Sequence, residues 1–148
     1  MTIPSSPDAG EQRIYAARLA DIADAAAFAQ DFCRRHGIGL RETSRLTLII
    51  EELFTNTVRH GYRGDCDLPV RIALDTKAGA VTLFYEDAAP RYDPLARSKA
   101  TPASLATPFE SRPAGGLGVA LVDMLAESAR YAYEDGCNRL WLRLRSAA

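Results

Sequence analysis

Three short segments of the chain carry side chains able to do chemistry. In Glu51-Glu52-Leu53-Phe54-Thr55-Asn56-Thr57-Val58-Arg59-His60-Gly61-Tyr62, the residues Glu52, Asn56 and His60 stand at i, i+4 and i+8. On a helix that spacing puts a carboxylate, a carboxamide and an imidazole on one stripe. Asparagine is a poor helix former because its side chain competes for backbone hydrogen bonds, so its mid-helix place has another reason. Two readings are open: a solvated helix face, or a magnesium site, since Mg²⁺ takes hard oxygen ligands and often only one or two from protein. The second segment, Tyr85-Glu86-Asp87-Ala88-Ala89-Pro90-Arg91-Tyr92-Asp93-Pro94, closes a run of alternating residues. Its carboxylate is either part of an acidic strand-end turn or an acceptor for an exocyclic amine, with the proline and tyrosine walling an aromatic ring. The third, Gly115-Gly116-Leu117-Gly118-Val119-Ala120-Leu121, clusters glycines ahead of a helical pattern. Exposed backbone N–H groups there suit an anion, and a flexible hinge is the other reading.

The elements that must position these groups follow from periodicity. Residues 1–11, rich in proline and serine, read as a mobile tail, and Ile14 to Leu19 as a first short strand. Asp21 to His36 is alanine-rich, carries Ile22, Phe28 and Phe32 at helical spacing, and stops at Gly37, which predicts a helix. A second helix is expected from about Glu42 to His60, where Leu46, Ile49, Ile50 and Leu53 form an apolar stripe. Val70, Ile72 and Leu74 then alternate with polar or small residues, as do Val81, Leu83 and Tyr85, with a hairpin turn at Lys77-Ala78-Gly79. Five of the 8 prolines fall between Asp87 and Gly118, so that stretch is mostly loop, and a loop of such length in a small domain is usually functional or disordered. A short helix from Gly118 to Leu125 and two strands, Tyr131 to Tyr133 and Leu140 to Leu144, joined by a turn at Asp135-Gly136-Cys137-Asn138, complete the pattern. The expected fold is α+β: a two-layer sandwich, its sheet mixed but mostly antiparallel, covered by about three helices.

Composition narrows the function. At 148 residues the chain is one domain, here residues 12–148, and 47% hydrophobic residues supply its core. With 18 basic and 19 acidic residues, net charge −1, evenly divided between the halves, neither nucleic acid nor an anionic membrane is an expected partner. There is no signal-like start and no run of eighteen apolar residues, so the expectation is a soluble, cytoplasmic protein. Cys33, Cys66 and Cys137 lack the spacing of a zinc site or a disulfide framework and read as ordinary thiols.

The order of the three segments, a Glu-x-x-x-Asn helix, a strand-end aspartate, then a glycine loop and helix, resembles the GHKL ATP-binding superfamily with its Bergerat fold. Within it the chain resembles the RsbW- and SpoIIAB-like anti-sigma-factor serine/threonine kinases. The resemblance covers about residues 12 to 145. Glu51 to Tyr62 matches the N box, Asp87 to Pro94 the first glycine box, Gly115 to Asp123 the second, and Asp135 to Leu140 the last hairpin. It implies that Asn56 holds Mg²⁺, that Asp87 receives the adenine amine, and that Tyr92 walls the base. It also implies that Gly115, Gly116, Leu117 and Gly118 cover the phosphates of ATP, and that Glu52 is the general base toward a serine or threonine hydroxyl. Arg112 is assigned to terminal phosphate charge from its sign and position alone, and His60 to a supporting role. One departure stands out. Ala89 occupies a position where the family uses glycine, and its methyl is expected to crowd the adenine pocket.

What the resemblance implies is a kinase whose partner is a STAS-domain anti-anti-sigma protein, with a sigma factor or another regulator as a second partner and a homodimer through residues 12 to 40. The alternative is a catalytically weak or inactive module that regulates by contact alone. Only Lys77 and Lys99 exist and neither follows a GxxxxG run, which disfavours a Walker-type NTPase. A histidine-kinase catalytic domain shares the ATP boxes, but no phosphoacceptor helix precedes residue 12 and the linker between the boxes is short.

Overall fold

The computed structural model describes residues 10–92 and 126–144. Five strands, β1 (Glu11–Ala16), β2 (Pro69–Lys77), β3 (Ala80–Asp87), β4 (Ala126–Glu134) and β5 (Cys137–Leu144), form one sheet in the order β1-β2-β3-β5-β4. Two helices, α1 (Ile22–Arg35) and α2 (Leu40–Asn56), cover one face. This is the two-layer α+β arrangement expected, and every pairing among the described strands is antiparallel. The helix expected from Gly118 to Leu125 lies outside the described residues.

Local signals account for most boundaries. α1 ends as its glycine requires: Gly37 has φ 68°, and the Ile38 N–H donates to Cys33 O at 2.9 Å, the Schellman closure of a helix C-terminus. The first strand ends at Ala16, not at Leu19. Beyond the Ala16–Pro69 pair the Ala17 N–H still donates to Leu68 O at 2.9 Å and its carbonyl accepts from the Cys66 N–H at 3.0 Å. The Leu19 N–H then turns to Asp65 Oδ1 at 2.9 Å, and Leu19–Asp21 forms a single 3₁₀ turn leading into α1. The second helix is α-helical only to Asn56. Thr57–Gly61 continues it as a π-turn, with the Tyr62 N–H donating to Thr57 O at 2.8 Å. Both hairpins close through two residues with positive φ, Ala78 (51°) and Gly79 (81°), then Asp135 (54°) and Gly136 (75°). That is the backbone twist a tight hairpin needs. Cys137 and Asn138, expected in the second turn, are therefore strand residues.

The core lies between the helices and one face of the sheet. Phe28, Phe32, Leu46, Ile49, Ile50, Leu53, Phe54 and Val58 pack there against the inward rows of the strands. Truncating one such fully buried side chain to alanine costs about 2–5 kcal/mol. The rows are read from the register. Leu74, Leu83 and Leu142 are aligned, and Ile72, Tyr85 and Leu140 form the next row. One step further the row is Val70, Asp87 and Asn138. The inward face turns polar there, beside the point where α2 becomes a π-turn.

Candidate functional site

Asp87 and Asn138 are both buried, and the groups around them form one hydrogen-bonded network. Asp87 Oδ1 accepts from Asn138 Nδ2 at 2.9 Å and from the Ala89 N–H at 3.1 Å. Asp87 Oδ2 accepts from Thr57 Oγ1 at 2.7 Å. Thr57 has a single hydroxyl proton. Of its two acceptors, Leu53 O at 3.1 Å and the carboxylate, the closer and charged one takes this hydrogen bond. That leaves the Thr57 oxygen to accept from Tyr85 O–H at 2.6 Å, so the donors run Tyr85 to Thr57 to Asp87. Burial, with the Asp87 charge behind it, pushes the Tyr85 phenol well above its usual range, which keeps it a donor. An ionised carboxylate has about four acceptor positions. Three are filled, and one remains on Oδ2.

The segment after Asp87 is tied down from three sides. Tyr62 O–H donates to Pro69 O at 3.1 Å and accepts the Ala88 N–H at 2.7 Å, and burial lifts this phenol to about 12. Asn138 Oδ1 accepts the Tyr92 N–H at 2.9 Å. The Ala89 methyl is 2% exposed and faces the end of the helix: a Cβ placed on Gly61 would lie 2.8 Å from it. The absence of a side chain at 61 is what admits the methyl at 89.

These groups border a cavity of about 450 Å³, lined among others by Leu53, Asn56, Thr57 and His60 from the helix, Asp87 and Ala89 from the strand end, Tyr92, and Asn138 and Leu140 from β5. Its size suits a nucleoside-sized ligand, and a few polar groups within apolar walls are the usual recipe for such a pocket. Of the residues singled out by sequence, Asn56, Asp87 and Tyr92 meet at this cavity. Glu52 sits one helical turn before Asn56 and is half-buried, not a lining residue. Arg112, Gly115, Gly116, Leu117 and Gly118 lie outside the described residues. His60 lines the cavity beside Asn56, although the π-turn breaks the uniform α-helical stripe expected of Glu52, Asn56 and His60.

Electrostatics distinguish the two ends of the site. Burial, reinforced by the neighbouring Glu51 charge, raises the Glu52 carboxyl above its ordinary range, against a smaller opposite pull from Arg59. Arg63 and Arg91 line the cavity and pair with no carboxylate among the described residues. The Asn56 carboxamide likewise has no hydrogen-bond partner among them. A lone neutral oxygen with no cluster of carboxylates beside it among the described residues does not suit a free divalent ion. It does suit Mg²⁺ that brings phosphate and water oxygens of its own.

Sequence reading missed Thr57, Tyr85, Tyr131 and above all Asn138. Tyr85 reads only as one of the alternating residues of a strand, and Thr57 is given no role within its segment. For Asn138 a signal existed: Asp-Gly is the strongest two-residue hairpin dipeptide, and a hairpin closed by Asp135-Gly136 places Asn138 on the strand.

Among known proteins, the family model described as a histidine kinase-like ATPase domain matches residues 15–144, a span that takes in every residue lining the cavity. A chain of the SiaB–SiaC complex from Pseudomonas aeruginosa has the same fold. It is 15% identical, with a TM-score of 0.61 over 90% of this chain and 87% of that one. The histidine kinase AdeS from Acinetobacter baumannii is 14% identical, with a TM-score of 0.47 over 95% of this chain and 70% of that one. No curated protein matches the chain.

Proposed function

Because the chain belongs to the family of histidine kinase-like ATPase domains of the GHKL type, an ATP-binding, kinase-like class, we propose that it is a serine/threonine protein kinase. Its proposed partner is a STAS-domain anti-anti-sigma protein, in a partner-switching pathway that also includes a sigma factor or other regulator. The observation that carries this reading is the Asp87 carboxylate, buried at the cavity wall with three acceptor positions filled and one open. That is the form in which a carboxylate reads the six-amino group of adenine. Tyr92 would flank the base. Arg112, Gly115, Gly116, Leu117 and Gly118 are proposed to meet the phosphates.

Asn56 would hold Mg²⁺ by its amide oxygen, and the ion would neutralise charge on the phosphates when bound. Glu52 would take the proton of the acceptor hydroxyl as that oxygen bonds to the γ-phosphorus and the bond to the bridging oxygen breaks, releasing ADP. A carboxyl raised by burial is a stronger base than an exposed one, provided that it is ionised. The helix face around Glu52 supports a protein as the acceptor. Arg41 and Arg45, eleven and seven residues before Glu52 on α2, fall on its line, Arg59 on the π-turn exerts a charge pull on it, and none of the three makes an ion pair among the described residues. Leu40 and Leu48 beside them are 87% and 38% exposed. Arg45 stands seven residues before Glu52, about 10 Å of helix, and Arg41 about 16 Å.

The test is calorimetry with Mg-ATP, followed by transfer of labelled phosphate to a STAS-domain protein. ATP binding abolished by Asp87→Asn and transfer abolished by Glu52→Gln are the expected results. Tight binding of the STAS-domain protein with no ATP binding and no transfer would reject the kinase reading in favour of a module acting by contact alone.

A further inference from the structure

We propose that Asn138 is the positioning residue of this site: it acts through Asp87 and sets how strongly the cavity discriminates for a six-amino purine. The proposal rests on reading the cavity as the ATP site. The Asn138 carboxamide bridges two segments about fifty residues apart. Its Nδ2 lies 2.9 Å from Asp87 Oδ1, 3.0 Å from Ala89 O and 3.1 Å from Pro90 O. Its Oδ1 accepts from the Tyr92 N–H at 2.9 Å and from Tyr131 O–H at 2.6 Å. Three acceptors on one side and two donors on the other fix the orientation of the amide, since a flip would set its oxygen against the Asp87 carboxylate.

With both amide protons and both lone pairs engaged, Asn138 has nothing left to offer a base directly. Its effect on a ligand must pass through what it holds. It donates to the oxygen of Asp87 that does not receive the Thr57 proton, so the two donors pin the carboxylate from both ends and leave the open acceptor position on Oδ2 in a fixed direction. It also satisfies the carbonyls of Ala89 and Pro90 and the N–H of Tyr92, the turn that carries the cavity wall. Without Asn138, the carboxylate and turn would have to be ordered at the moment of binding, and that ordering is subtracted from the affinity of the amine contact. Aspartate would place a like charge against Asp87, and serine or alanine cannot span both the carboxylate and the turn.

The experiment compares dissociation constants for ATP and for purine riboside 5′-triphosphate, which lacks only the six-amino group, in the wild-type protein, Asn138→Ser and Asn138→Ala. Both nucleotides bind the folded fraction, so their ratio is insensitive to any loss of stability. The wild-type protein is expected to favour ATP roughly ten- to a hundredfold, as for one charge-assisted hydrogen bond. In the variants the ratio is expected to fall at least fivefold, while affinity for the amine-free nucleotide changes much less. Variants that bind ATP with the wild-type ratio overturn the proposal, and so do two variants that fail to fold, which would assign Asn138 to hairpin stability. A wild-type protein that binds neither triphosphate rejects the ATP reading itself, and the role of Asn138 with it.

Discussion

The contact between Gly61 and Ala89 can be tested as a coupled pair. Gly61 has no left-handed φ, so the backbone of the π-turn accepts alanine. In a helix interior alanine would by itself gain about 0.5–1 kcal/mol over glycine. The obstacle is steric. The new Cβ would lie 2.8 Å from the Ala89 Cβ, against an optimal carbon–carbon separation of about 3.5–4.0 Å. Ala89 cannot yield freely, because its N–H is bonded to Asp87 and its carbonyl to Asn138. Overpacking of this kind costs about 1–3 kcal/mol, so Gly61→Ala is expected to be destabilising despite its propensity, and to weaken Mg-ATP binding by displacing the turn. Ala89→Gly removes a buried methyl, about 0.8 kcal/mol, and adds about 0.5–1 kcal/mol of chain entropy. Combining the two removes the clash. The double variant should be no less stable than Ala89→Gly alone, a favourable coupling of about 1–3 kcal/mol. Urea denaturation of the four proteins, with an unchanged m-value, measures this cycle. Additivity within about 0.5 kcal/mol would show that the two residues do not press on each other, and the account given of Ala89 would be wrong.

Three further outcomes are expected. Thr57→Val leaves both Asp87 Oδ2 and the Tyr85 hydroxyl without a partner and should cost about 2–5 kcal/mol, whereas Tyr85→Phe removes one neutral hydrogen bond and should cost about 0.5–1.5 kcal/mol. Thermal melts that rank the two the other way would contradict the donor chain from Tyr85 to Asp87. Because burial and Glu51 raise Glu52 above its ordinary range, transfer should increase with pH as Glu52 ionises, and Glu51→Gln should move that acid limb to lower pH. An unmoved limb would mean that another group is the base. At the far edge of the sheet, the Arg35 guanidinium, 2.6 and 2.7 Å from the Glu11 carboxylate oxygens, holds that carboxyl down from 4.5 to about 2. A lowered carboxylate contributes stability that is complete above its unfolded value and is lost as pH falls from about 4.5 to 2. Glu11→Gln should therefore flatten the pH dependence of the melting temperature in that window, modestly, since the pair is partly exposed.

The two helices were legible because Phe28, Phe32, Leu46, Ile49, Ile50 and Leu53 repeat near 3.6 and a glycine ends the first run. The hairpin of β2 and β3 was legible because alternation and an Ala-Gly turn agree. Asp87 could be placed at a strand end on the same grounds. Less was legible where distant segments meet. The 3₁₀ turn at Leu19 has its first N–H bonded to Asp65, 46 residues later, and the π-turn at Thr57 depends on a tertiary fit to Asp87 that no local propensity encodes. Asn138 was lost through one decision about turn length. Read as four residues, Asp135 to Asn138 puts the asparagine in solvent. Read as two, it pairs Asn138 with Asp87 across β3 and β5. Because side chains alternate between faces, such a choice decides which residues reach a site.

Why the third inward row is polar follows from what a core tolerates. Leu or Val at 87 and 138 would extend the rows of Leu83 and Tyr85, Leu142 and Leu140, and would bury apolar surface at about 25 cal/mol per Å². A buried carboxylate instead costs several kcal/mol unless its oxygens find donors. Here three donors come from three different elements, Thr57 on the π-turn, Ala89 on the loop and Asn138 on β5, and the fourth acceptor position is left open beside a cavity. Stability alone would either complete that shell or dispense with the carboxylate. A shell built to three-quarters and turned toward an enclosed space is better explained by a donor that arrives with a ligand, and in that light the glycine at 61, the alanine at 89 and the asparagine at 138 are parts of one arrangement that holds the position open.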